Sequence, residues 1–295
     1  MPLPQMSQLF PPKPTWTLAD VPSLTSKQAL VTGGNTGIGK QTCKHLLLAG
    51  ARRVYLLARS EQKAKEAIVD LEKETEGKRV GEIVFVRLDL ADLESCKTAA
   101  LEVREKLKEN GASGRLDILF ANAGVMTPPK EQVTKQSFDM QFGVNVLGHF
   151  LFIHHLIPAL QIPSPTSPNT PSRIIWTTSS VNLMYTPPVK YDTLVDGPKR
   201  KKRLTWTLYA QSKYAAVLIA RALARRYYKE GGGQGSVVTV AIDPGNIQSD
   251  LQRNTNTVMK AMWVRPKSYT LRLAPVSMTN SFFIFRFRTQ RFSTP

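Results

Sequence analysis

Short β-branched runs alternate with longer helix-forming segments along most of this chain, and that alternation constrains the fold more than any other feature. The runs are QALVT (28–32), RVYLLA (53–58), EIVFVRL (82–88), LDILFA (116–121), RIIWTTS (173–179) and SVVTVAI (236–242). Between them lie GKQTCKHLLLA, EQKAKEAIVDLEKETE, DLESCKTAALEVREKLKE, SFDMQFGVNVLGHFLFIHHL and TWTLYAQSKYAAVLIARALARRY, with helical spacing or helix-forming composition. Glycine comes after several of these segments, at Gly50, Gly77 and Gly111, where a helix C-terminus favours it. Strands alternating with helices pair in parallel through crossovers. The expected architecture is therefore α/β, a single doubly wound parallel sheet with helices on both faces. Near-continuous apolar strands agree, since such sheets are covered on both sides. No linker splits off a second domain, and no internal repeat is present.

Composition sets outer limits. A chain of 295 residues that is 42% hydrophobic can bury a sizeable core. Cys43 and Cys96 offer neither a disulfide framework nor zinc spacing, which fits a reducing compartment and no metal site. No uninterrupted apolar run approaches the roughly 20 residues of a membrane span, and FLFIHHLIPAL is broken by histidines and a proline. The start, MPLPQMSQLFPPKPTW, reads as an irregular proline-rich arm rather than a signal peptide. The expectation is a soluble, cytoplasmic chain. The formal charge of +18 raises the question of nucleic acid, but its distribution argues against a dedicated face. One cluster, PKRKKR, ends at Arg203 in an expected loop, and eight more basic residues come after Asp250 in a segment without acids. Such runs read as solvated loops or at most an address, so no nucleic-acid partner is expected.

In a doubly wound sheet, ligands bind beyond the carboxyl ends of the strands, so the residues just past each strand are the informative ones. After the first comes TGGNTGIGK. Its glycines let the backbone turn tightly and approach a phosphate, and the next helix offers free N–H groups. Gly33-x3-Gly37-x-Gly39 differs from the usual Gly-x-Gly-x-x-Gly dinucleotide fingerprint. After the second strand, Arg59 and Lys63 stand where an acid would select NAD. Their cationic groups suit a 2′-phosphate, so NADP is expected and NAD disfavoured. Asp89 comes after the third strand and is read either as an acceptor for adenine or as a helix cap, with Asp92 competing for the cap. Asn122 lies past the fourth, in ANAGVM. Ser179 and Ser180 lie past the fifth, and Asp243-Pro244-Gly245 past the sixth. Tyr209 and Lys213 in YAQSK share a helix face, but that spacing alone is equally a core tyrosine beside a surface lysine.

Taken in order, TGGNTGIG, NAG at 122–124, Asn145 in FGVNVLGHF, SS at 179–180, YAQSK and DPGN resemble the short-chain dehydrogenase/reductase family over about Thr32 to Ser249. The long gap between Ser180 and Tyr209 is similar to the branch of retinol-dehydrogenase-like and WW-domain-containing oxidoreductases and fungal reductases. The resemblance implies a Rossmann-type NAD(P)-binding catalytic domain over 27–250, after a proline-rich arm (1–26) and before a divergent basic segment (251–295). It implies that Tyr209 is the general acid/base, that Lys213 lowers its pKa and holds the nicotinamide ribose, and that Ser180, as the second serine of the pair, binds the substrate oxygen. Asn145 would support a water chain toward Lys213. Gly33, Gly37, Ile38 and Gly39 would hold the pyrophosphate, Asn122 would lie near the ribose, and Ile247 and Ser249 near the nicotinamide. A tyrosine at its ordinary pKa of roughly 10 is a poor base near neutrality, and a nearby cation stabilises the phenolate. His149, His154 and His155 sit in an apolar segment and read as packing or interface residues.

The implied activity is NADP(H)-dependent interconversion of a partly apolar alcohol and its carbonyl, with a homodimer as a candidate assembly. From Arg265 onward the chain departs from the family pattern, with no glycine and no acid. That departure sustains an alternative, a catalytically impaired or non-catalytic nucleotide-binding relative. A third reading, an interaction protein, rests on PPKP and KRKKR alone.

Overall fold

Six parallel strands among the described residues carry the alternation into three dimensions: β1 (Gln28–Thr32), β2 (Arg53–Ala58), β3 (Glu82–Arg87), β4 (Ile118–Ala121), β5 (Ser172–Thr177) and β6 (Val237–Ile242). The helices are α1 (Gly37–Leu48), α2 (Glu61–Glu74), α3 (Leu93–Lys106), α4 (Met140–Leu160), the single turn α5 (Pro198–Lys201) and α6 (Thr205–Tyr227). The computed structural model describes residues 20–78, 81–109, 112–185, 188–228, 235–245 and 251. Ile247, Ser249, Gly111, most of the proline-rich arm and the basic segment beyond Leu251 lie outside the described residues.

The sheet order is β3-β2-β1-β4-β5-β6, with every pairing parallel. The chain steps outward from β1 to β3, then returns to build the other half from β4. That reversal opens a crevice beyond the carboxyl ends of β1 and β4, where an open α/β sheet binds its ligand. The two faces obey the strand period of two. Ala29 and Val31 pack with Cys43, Leu47 and Leu71 of α1 and α2, whereas Leu30 packs with Cys96, Phe152 and Ala216 of α3, α4 and α6. Helices therefore cover both faces, as the apolar runs imply. β3 differs from the expected near-continuous burial: only Val86 in it is fully enclosed, because β3 ends the sheet.

Local signals set the ends of the elements. Gly50 and Gly77 take left-handed φ values of 87° and 68° after α1 and α2, as their placement implies. Ser60 caps α2 by accepting from Lys63 N, and Asp92 caps α3 by accepting from Glu94 N. Asp139 caps α4 through Gln141 N and Phe142 N. Between Gly143 and Gly148, α4 widens into a π-helical turn, a local irregularity that is frequent at functional sites. α4 is also long and apolar enough by composition to cross a membrane, but 67% of its most apolar window is buried against the rest of the domain.

The basic run PKRKKR departs from the expected solvated loop. It forms α5, and Arg200 is almost completely enclosed, bonding Asp139 at 3.4 Å, Asp196 at 2.6 Å and the Lys130 carbonyl at 2.6 Å. Lys199 pairs with Asp192 at 2.9 Å, and Lys201 with Asp196 at 3.4 Å. Burying one guanidinium against two carboxylates satisfies its fork and uses this cluster to hold the 188–204 segment against α4.

Candidate active site

The crevice at the strand ends is a cavity of about 610 Å³, within the size range of small-molecule sites. Its floor near β1 is a backbone cradle. Gly33 turns with φ +67°, and a side chain there would press on Ala123 at 3.1 Å. A side chain on Gly39 would run into the Gly33 carbonyl and come within 2.8 Å of Asn122 Nδ2, so the first turn of α1 closes on the loop only with glycine. Gly37 and Ile38 open α1, and Gly37 also has positive φ, at 54°. N–H groups at a helix start beside such a turn suit a pyrophosphate. Ala58, Arg59 and Lys63 line the cavity beyond β2, and Asp89 lines it beyond β3. Asp92 is the cap of α3, so Asp89 is left to face the cavity while its Oδ1 accepts from Ala91 N at 2.9 Å. Lys40, at the same end, is committed to Asp70 at 2.7 Å and Glu74 at 3.7 Å.

The opposite end holds the expected chemistry. Tyr209 and Lys213 lie one turn apart on α6, 3% and 4% exposed, with Nζ 5.7 Å from the centre of the phenol ring. Lys213 Nζ donates to the Thr177 carbonyl at 2.9 Å, which ties α6 to the end of β5. The side chain of Ser179 lies beside the Tyr209 phenol and favours its ionised form. Ser180 also borders the cavity, but it begins a 3-10 turn that Ser179 caps, and its backbone N–H is taken by Asp243 Oδ2 at 3.0 Å. Asn145 sits in the π turn, where its Oδ1 accepts from Val125 N at 2.9 Å and its Nδ2 donates to Val125 O and Ser212 Oγ, both at 3.0 Å. The widened turn thus aims one amide at both the NAG loop and α6.

Comparison with known proteins agrees with this geometry. The family model of short chain dehydrogenases matches residues 27–190. The chain belongs to the short-chain dehydrogenase family. It is 46% identical to a short-chain dehydrogenase/reductase of Armillaria gallica, over 92% of this chain and 80% of that protein. It is 35% identical to human retinol dehydrogenase 13, over 86% of this chain and 71% of the other. Among solved structures, it resembles a short chain dehydrogenase of Escherichia coli CFT073 complexed with NADPH (TM-score 0.56, 26% identity, 80% of this chain and 84% of that one). It also resembles the RhlG/NADP complex of Pseudomonas aeruginosa (TM-score 0.55, 25% identity, 78% and 76%). As a short-chain dehydrogenase, the protein is a nicotinamide-dependent oxidoreductase acting on CH–OH or C=O groups of small molecules.

Burial raises the Tyr209 phenol of this short-chain dehydrogenase above its ordinary pKa, Asp243 raises it further, and Ser179 only partly opposes them. Lys213 itself is drawn down to about 8 by burial, with Asp243 working the other way.

Two residues that hold the site escaped sequence reasoning. His149 is fully buried, with Nδ1 2.9 Å from the Val144 carbonyl and Nε2 2.9 Å from Thr32 Oγ1. A carbonyl can only accept, so Nδ1 carries the proton and Nε2 receives the Thr32 hydroxyl. Both lone pairs of that hydroxyl then accept from Asn122 N and Ala123 N, at 2.9 and 3.0 Å. A histidine read as packing thus orients the NAG loop. The second is Gln211, the central residue of YAQSK. Its Oε1 accepts from Tyr185 OH at 2.5 Å and Lys190 N at 2.9 Å, while Nε2 donates to Thr193 Oγ1 at 3.0 Å. It fastens the insertion after Ser180 to the catalytic helix. Met126, Trp206 and Leu251 give the cleft an apolar side, with the indole 5.6 Å from the Tyr209 ring.

Proposed function

We propose that this short-chain dehydrogenase interconverts an alcohol and its carbonyl by NADP(H)-linked hydride transfer, with Tyr209 as general acid/base. One observation carries the reading: the phenol of Tyr209, the hydroxyl of Ser179 and the ammonium of Lys213 share one cavity with the Gly33–Gly39 cradle. The glycine positions that a side chain would fill, together with the start of α1, fit a dinucleotide pyrophosphate. A bound nicotinamide supplies the hydride chemistry, and its oxidised form adds positive charge beside the site.

The remaining work falls to the chain. Ser180, the second serine of the pair, donates to the substrate oxygen, with Ser179 beside the phenol. Tyr209 passes its proton to that oxygen in reduction and recovers it in oxidation. The raised phenol stays protonated at neutral pH, the form required to donate. Lys213, braced on Thr177, supplies the charge that a bound cofactor's ribose and the developing phenolate need. Asn145 fixes the NAG loop against α6, with Asn122 beside the ribose. Arg59 and Lys63 face the end where a 2′-phosphate would lie, and a carboxylate that would favour NAD is missing from the end of β2. Two structural relatives were solved with NADP or NADPH, which supports the same choice. The apolar side built by Met126, Trp206 and Leu251 supports a partly apolar substrate.

The test is cofactor binding and then turnover. Quenching of tryptophan fluorescence should saturate at lower NADPH than NADH, and a panel of carbonyl compounds should then oxidise NADPH. Equal binding of both cofactors would remove the NADP assignment, and no turnover of any carbonyl or alcohol would remove the catalytic one.

A further inference from the structure

Asp243 ends β6 and borders the same cavity as Tyr209, Lys213 and Ser179. Its two oxygens are divided between two loops: Oδ2 accepts from Ser180 N at 3.0 Å and Oδ1 from Gly245 N at 3.1 Å. The second contact depends on Gly245, whose φ of +77° brings its N–H back onto the carboxylate. Thr178 completes the junction, with its N–H on Ile242 O at 2.7 Å and its hydroxyl on Lys213 O at 3.1 Å. Thr178, just past β5, therefore ties the end of β6 to α6 next to the Asp243 carboxylate. A turn at this position needs only a neutral cap, which Asn or Ser supplies as well. A carboxylate is the choice that also carries charge.

We propose that Asp243 is a positioning residue for the reaction: it pins the serine turn to the Pro244–Gly245 bend and provides the counter-charge of the buried Lys213 ammonium. The charged and titratable groups facing the pair are Asp243 from the end of β6, His149 from α4, and Tyr209 and Lys213 themselves from α6. His149 is held neutral by burial, so Asp243 is the anion at this end of the cavity among the described residues. Its field raises both members of the pair, keeping Lys213 charged and Tyr209 protonated until substrate and cofactor are in place. The kinetic consequence rests on the catalytic role proposed for Tyr209, whereas the electrostatic one does not.

The experiment has two arms. The first needs no turnover: thermal melts at pH 7 of wild type, Asp243→Asn, Lys213→Met and the double variant. Asn keeps an acceptor and removes the charge. Asp243→Asn should lower the melting temperature by about 2 °C or more beside Lys213, and by less than about half as much in the Lys213→Met background. Equal shifts in the two backgrounds would overturn the proposal. The second arm measures alcohol oxidation against pH. Asp243→Asn and Asp243→Ser should both move the acid limb of kcat/KM to lower pH, by roughly one unit. A uniform loss of activity with an unmoved limb would mark a purely structural cap and would also overturn it. If wild type binds NADPH but turns nothing over, the catalytic reading fails, and the melting cycle still decides for or against Asp243.

Discussion

Lys213 Nζ donates to the carbonyl of Thr177 at 2.9 Å, so the catalytic helix is anchored to the strand end by the side chain that carries the site's positive charge. The folded-state pKa of about 8 lies below the ordinary lysine value, 10.5, because the ammonium is buried. Below pH 8 the folded protein bears the full cost of that buried charge. Between about pH 8 and 10.5 the unfolded chain binds more protons, so stability rises with pH. Relative to Lys213→Met, wild type should gain on the order of 3 kcal/mol across that window, read from denaturant unfolding at each pH. A pH-independent difference would mean the ammonium is solvated.

Ser179 and Ser180 make a discriminating pair. Ser180→Ala removes the hydroxyl assigned to the substrate oxygen and should reduce kcat on the order of hundredfold, with NADPH affinity kept. Ser179→Ala, which removes the hydroxyl that caps the following turn, should cost less than about tenfold. The reverse ranking would move the substrate-binding role to Ser179.

This pair marks where the sequence stops being legible. Period and composition place all six described strands to within a few residues, because burial on one or two faces leaves a pattern that any compatible sequence must show. The strand-end glycines are legible for a similar reason: few residues other than glycine fit Gly33 and Gly39. Choosing between two adjacent serines is beyond any pattern, since Ser179 and Ser180 both reach the cavity past the end of β5 at Thr177. The hydrogen bonds of His149 and Gln211 cross from α4 to β1 and from α6 to the insertion, so no local pattern records them. The burial of Arg200 was hidden likewise, since its partners Asp139 and Asp196 lie 61 and 4 residues away.

His149 predicts an acid-side weakness. Burial holds its folded pKa at about 4, below the ordinary 6.5, with the Lys213 charge acting in the same direction against the Val144 bond. As pH falls from about 6.5 toward 4, the unfolded chain takes up a proton that the folded chain refuses. Wild type should therefore lose on the order of 3 kcal/mol over that range relative to His149→Gln, whose amide offers one donor and one acceptor without titrating. Parallel stability curves for the two proteins would exclude this histidine as the cause.

Arg59 and Lys63 predict cofactor choice. If they hold a 2′-phosphate, Arg59→Ala or Lys63→Ala should weaken NADPH on the order of tenfold or more and leave NADH nearly unchanged. Titration calorimetry with both nucleotides reads the difference directly. A parallel loss for the two would mean that these cations act on the pyrophosphate or on folding.

The central claim is that Tyr209 moves the proton. Tyr209→Phe keeps the ring against Trp206 and removes only the hydroxyl. Measured as NADPH oxidation on the best carbonyl substrate, kcat of this variant should fall by about 10² to 10⁴ while NADPH still binds with wild-type affinity. A Tyr209→Phe enzyme that turns over at the wild-type rate would contradict the account.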